Sequence, residues 1–167
     1  TVNGSGVTRF GGAVTVDSLA TDSAGSTAID GGSITTTGSQ TYGDAVALGA
    51  NTTLTGVNVT LGGAVTGGYA LVIHDSADTV IGSTVSLASL TTSAGGTTTL
   101  NGGSVTTTGA QNFGDAVVLG ANTVLTGANV TLGGTVNGAH TLTINDSGAT
   151  VLGGVIGGIN ALTSITT

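Results

Sequence analysis

A run of 33 residues occurs twice in this chain. Gly31 to Gly63 reads GGSITTTGSQTYGDAVALGANTTLTGVNVTLGG, and Gly102 to Gly134 reads GGSVTTTGAQNFGDAVVLGANTVLTGANVTLGG. Twenty-six of the 33 positions are identical at an offset of 71 residues. Most of the changes conserve volume or character, as in Ile34 to Val105 and Tyr42 to Phe113. The offset carries outward: Val2 aligns with Ile73 and Ile144, Thr8 with Thr79 and Thr150, Gly11 with Gly82 and Gly153, and Leu19 with Leu90. Near the C-terminus about four residues are inserted, so that Ser18-Leu19 meets Ser164-Ile165. The organisation is thus a partial repeat over 1–24 and two repeats over 25–95 and 96–167. A period of this kind marks architectures in which each unit buries its apolar face against its neighbours.

The residues inside the unit select the kind of array. Val57, Val59 and Leu61 alternate with Asn58 and Thr60, which is the period of two of a half-buried strand; Leu71 and Ile73, and Val85 and Leu87, do the same. Shorter candidates surround Ile29, Ile34 to Thr36, Val46 to Leu48, Thr52 to Leu54 and Val80-Ile81, with glycines between nearly all of them. Asp30-Gly31 and the matching Asn101-Gly102 are strong turn signals. Only 5% of residues are charged, against about 25% in ordinary domains; Glu and Lys are absent, and helix has little to favour it. Thr, Val and Ile suit a pleated surface. Disorder is the competing reading of so much Gly, Ser and Thr, but the chain has no Pro and is 38% hydrophobic.

The expected fold class is therefore all-β: a parallel β-helix, or β-solenoid. Nine short strands per unit predict three coils of about 24 residues each, or about seven coils in all and a rod ~34 Å long. A barrel or sandwich is the alternative, but its strands usually run longer, and a 71-residue copy has no natural place in a closed barrel.

The two long runs resemble the repeats of very large bacterial surface and secreted proteins, the filamentous-haemagglutinin-like adhesins and related β-strand-repeat proteins. The resemblance covers essentially the whole chain. It implies a right-handed parallel β-helix, export across the outer membrane, a place outside the cell or on its surface, and a role in adhesion or matrix. It brings no catalytic residues, and the amino-terminal secretion domain of such adhesins is missing. The chain begins at Thr1 without a charged-then-apolar leader and reads as a processed product or an excerpt.

Charge and composition narrow the function further. A net charge of −7 with Arg9 as the one strong base speaks against nucleic acid and against an anionic membrane surface. No run of about 18 apolar residues predicts membrane insertion. With no Cys, stability must come from repetition and hydrogen bonding rather than disulfides. No cofactor is expected. The leading expectation is a structural rod, not an enzyme, self-associating by end-to-end stacking into a homo-oligomer or filament. A module that binds glycan, a host or matrix surface, or ice is the alternative.

Four groups of residues are candidate sites. Gln40, Tyr42 and Asp44 recur as Gln111, Phe113 and Asp115. They suit either a sugar-contacting ridge at the surface or a corner ladder, with a packed aromatic and an Asp bonded to local backbone; loss of the hydroxyl at Phe113 favours the second. Asp75 and Asp78 would serve acid–base chemistry or calcium, but Asp78 becomes Ala149 while Asp146 matches Asp75, so turn caps are expected. His74 matches Asn145 and His140 matches Tyr69, which is no pattern for a metal. Thr35-Thr36-Thr37 and Thr106-Thr107-Thr108 suggest an ice-binding array, but they recur too sparsely along the chain.

Overall fold

The structure is a computed structural model describing residues 1–167, with 24 strands and no helix. The strands form three parallel sheets, here faces I, II and III. Face I has nine strands, from Val7–Phe10 to Ser164–Thr166; face II has eight, from Val14–Val16 to Thr150–Leu152. Face III has seven, from Leu19–Thr21 to Val136–Asn137. The chain visits the faces in rotation, and each strand pairs with the third strand before and after it, except that Thr141–Asp146 pairs with Ser164–Thr166, the second strand after it. This is a parallel β-solenoid: 24 strands at three per turn make about eight turns, close to the seven expected. At the usual strand spacing of about 4.8 Å, the rod is ~38 Å long.

The turns are shorter than predicted. Along face I the stacked residues Val46, Val65, Val85, Val105 and Leu125 are 19 or 20 residues apart, not about 24. Three strands escaped the sequence pattern: Gln40–Tyr42, Val65–Thr66 and Ser89–Thr92. The first turns a polar Gln inward, the second has two residues, and the third is mostly hydroxyl side chains. The strands over 25–95 therefore number eleven, from Ser26–Ile29 to Ser89–Thr92, rather than nine.

Eleven strands is one short of four turns, so each repeat is displaced by one face from its copy. Ser33–Thr36 lies on face II and its equivalent Ser104–Thr107 on face I. Gln40–Tyr42 lies on face III and Gln111–Phe113 on face II; Thr52–Gly56 lies on face II and Thr123–Gly127 on face I. The sequence repeat is a screw operation, a third of a turn about the axis with a rise of about 18 Å at the usual strand spacing.

Inward side chains stack in columns down each face. On face II, Ile34, Leu54, Ile73, Thr92, Phe113 and Leu132 follow one another in register. Twenty-seven buried hydrophobic residues form one continuous core. Each such side chain contributes roughly 1.5–3 kcal/mol on full burial. Hydrogen bonding runs along the axis, with 96 backbone bonds in all. The last turn departs from the pattern. Thr141 stacks on Ser164, 23 residues away, and the inserted residues fall in a loop where face III would gain a strand. Asn137 Oδ1 holds that loop, accepting from the backbone N–H groups of Ile159 (2.9 Å) and Asn160 (3.3 Å).

Candidate functional site

The repeated Gln, aromatic and Asp come together inside the rod. In the Gln40–Tyr42 strand, alternation turns Gln40 and Tyr42 inward and leaves Thr41 exposed. Gln40 and Tyr42 are both 0% exposed and Asp44 is 4% exposed. An amide buried among Leu19 and Val59, its register neighbours, requires partners. Gln40 Nε2 donates to the carbonyls of Thr55 (2.9 Å) and Ile34 (3.1 Å), and Tyr42 Oη donates to Gln40 Oε1 at 2.8 Å. Burial pushes the Tyr42 phenol far above its usual range, so it acts as a neutral donor. Asp44 sits at the corner between faces III and I. There it receives the hydroxyls of Thr21 (2.8 Å) and Thr27 (2.9 Å) from the turn before.

The second copy rebuilds this arrangement one face away. Gln111 Nε2 donates to the carbonyls of Thr126 (2.8 Å) and Val105 (3.1 Å). Asp115, at the corner between faces II and III, receives Thr98 at 2.9 and 3.0 Å and Thr92 at 3.2 Å. Phe113 stacks between Thr92 and Leu132, as Tyr42 stacks between Thr21 and Leu61. One bond is lost: with no hydroxyl on Phe113, the buried Gln111 Oε1 has no partner. The neighbours travel with the repeat, so the environment survives the change of face. A sugar-contacting ridge requires exposed side chains, and all six of these residues are buried.

Asp75 and Asp115 share the corner between faces II and III, two turns apart. Asp75 receives Thr79 Oγ1 at 2.7 Å and Ser93 Oγ at 3.3 Å. Burial pushes the Asp115 carboxyl up from its usual range, its Thr partners pull it back, and the Asp75 charge raises it further. Asp146 behaves oppositely: N–H donors from Gly148 (2.8 Å) and Val130 (2.9 Å), with the Thr150 hydroxyl, lower its carboxyl. Asp78 is at the surface, where Oδ1 accepts the Thr97 N–H (3.1 Å), which is a corner cap. Exposed His74 stacks above Thr55 on face II, whereas His140 lies in the turn between faces III and I. No three His or Asp side chains gather as metal ligands, and no cavity opens in the structure.

Sequence reasoning missed a second set of corner residues. Asn51 Oδ1 accepts the Ala70 N–H and its copy Asn122 the Thr141 N–H, both at 3.0 Å. Asn58 and Asn129 take the N–H groups of Asp78 and Ala149, both at 3.1 Å. The signal was present, since both copies keep both Asn residues. Each side chain ties one turn to the next.

The arrangement defines a class, the parallel β-solenoid with an internal polar ladder at its corners. No protein-family model, curated protein or solved structure matches the chain.

Proposed function

We propose that this chain is a structural rod, a repeat segment of a bacterial protein secreted or held at the cell surface, without catalytic activity of its own. The observation that carries this reading is the eleven-strand repeat. A solenoid that binds a ligand along one flat side needs the same residues on that side in every turn. Here each repeat hands its surface to the preceding face, so duplication lengthens the rod without building up any one side. Four of the polar residues kept between copies, Thr36, Gln40, Asp44 and Thr52, are buried, and Gln40 and Asp44 bond to neighbouring turns. Nearest-neighbour contacts alone then suffice for stability. Open strand edges at the terminal turns favour end-to-end continuation into a filament, sheath or adhesin stalk, whether by more chain or by further copies.

The Thr columns are the observation that favours glycan or ice binding. Thr15, Thr35 and Thr55 stack in register on face II, but His74 follows them. Their repeat equivalents Thr106 and Thr126 stack on face I. The array is thus short on either side. Inserting extra copies of residues 25–95 tests the rod directly by electron microscopy and solution scattering. Each copy should add about 18 Å of length at constant width. Growth in width, or thermal hysteresis by the chain itself, would overturn the reading.

A further inference from the structure

The faces of the rod are uncommonly bare of charge. Down the centre of face III run Ala20, Thr41, Thr60, Val80, Thr99 and Val118, in register. Face I shows Ala28, Ala47, Thr66, Ser86, Thr106 and Thr126 in the same way. These side chains are short or β-branched and lose little rotamer freedom when covered. The Lys, Glu and Pro that commonly blunt sheet association are absent from the whole chain. Asp17, Asp22 and Asp30 lie in turns between strands. The exposed charges on the strands themselves are Arg9, stacked on Ala28 in the first strand of face I and paired with Asp30, and Asp78 at the start of a face III strand. The screw repeat also makes the three faces near-equivalents of one another.

We propose that the rods associate sideways, and that the partner covering each face is a second copy of this chain, with all three faces used alike. The proposal rests on the rod reading and extends it from one rod to a bundle. A face ~38 Å long and about 12 Å wide offers roughly 450 Å² per partner, against the ~800 Å² per partner of a standard stable interface. One chain of this length therefore pairs weakly, and one or two further repeats bring the area into the stable range. Longer rods gain contact on every side, which yields three-way packing rather than a ribbon.

Sedimentation of the chain, and of chains lengthened by one and two copies of residues 25–95, reads this out. Self-association should strengthen at least tenfold per added repeat, and it should strengthen with salt as the corner Asp charges are screened. Ala47→Glu on face I, Thr53→Glu on face II and Thr60→Glu on face III should each weaken it to a similar degree, and the triple variant should lose the dependence of association on rod length. Circular dichroism of each variant checks that the fold is kept. Loss of association through one face alone would overturn the three-way proposal, as would lengthened rods that stay monomeric. Association indifferent to all three variants would point to end-to-end stacking and overturn it too. If the added repeats fail to lengthen the particle, the rod reading falls first; if they lengthen it without association, only the sideways contact falls.

Discussion

Tyr42 and Phe113 form a natural mutant pair inside one molecule. Their surroundings match, and the difference is one hydroxyl, which leaves Gln111 Oε1 without a partner. An unsatisfied buried acceptor costs roughly 1–3 kcal/mol. Phe113→Tyr should therefore raise the unfolding free energy by about 1 kcal/mol, and Tyr42→Phe should lower it by about 1–2 kcal/mol, read from urea denaturation. Loss of the hydroxyl at Phe113 pointed to packing rather than recognition, but nothing in the sequence located the hydroxyl's partner, because the contact depends on which way Gln40 turns. The folded-state pKa of Asp115 is raised, so its protonated form is favoured by folding; this contribution is full below the ordinary carboxylate pKa and is lost as pH rises through the raised value. For Asp146 the folded pKa is lowered, so its contribution is present above the ordinary value and lost as pH falls through the lowered one. Denaturation curves from acid to neutral pH should show stability declining above about pH 4, and Asp115→Asn should flatten that decline.

At the scale of the element, the corners decide the fold. Turns of two or three residues, such as Val57-Asn58 and Gly49-Ala50-Asn51, join strands on different faces. Above each Asp corner the next turn has Gly-Gly. A Cβ on Gly63 would collide with the Asp44 backbone, and one on Gly134 with that of Asp115. Gly134→Ala should cost about 1–3 kcal/mol by thermal or urea unfolding, whereas Gly68→Ala, with open space around it, should cost far less. The alternation at Val59 to Leu61 was readable because apolar and polar residues differ sharply there, although Val57, expected to share it, is exposed in the preceding turn. Gln40–Tyr42 and Ser89–Thr92 were not, because Thr and Gln face inward as readily as Val once the neighbouring turn offers them partners. Two-residue strands such as Val65–Thr66 carry no period at all. Counting nine strands where eleven are present accounts for the overestimate of the turn length.

For the whole molecule, the 71-residue period was plain in the sequence and its geometrical meaning was not. A unit of whole strands but not whole turns preserves every register contact while rotating the surface. It is tolerated because the three faces have interchangeable packing: the same Gln, aromatic and Asp work at different corners. That rotation depends on turns of 19–21 residues on every face ahead of the last turn. The absence of Cys makes it directly testable by paired substitution and oxidation, since stacked residues on neighbouring parallel strands lie within disulfide reach. Three pairs sample the three faces: Thr106→Cys with Thr126→Cys on face I, Thr53→Cys with Val72→Cys on face II, and Thr60→Cys with Val80→Cys on face III. All three should close rapidly under mild oxidation in the folded chain and stay open in urea, while Thr60→Cys with Thr84→Cys, at the longer spacing, should stay open in both. Closure of that last pair, or failure of the first three, would contradict the account.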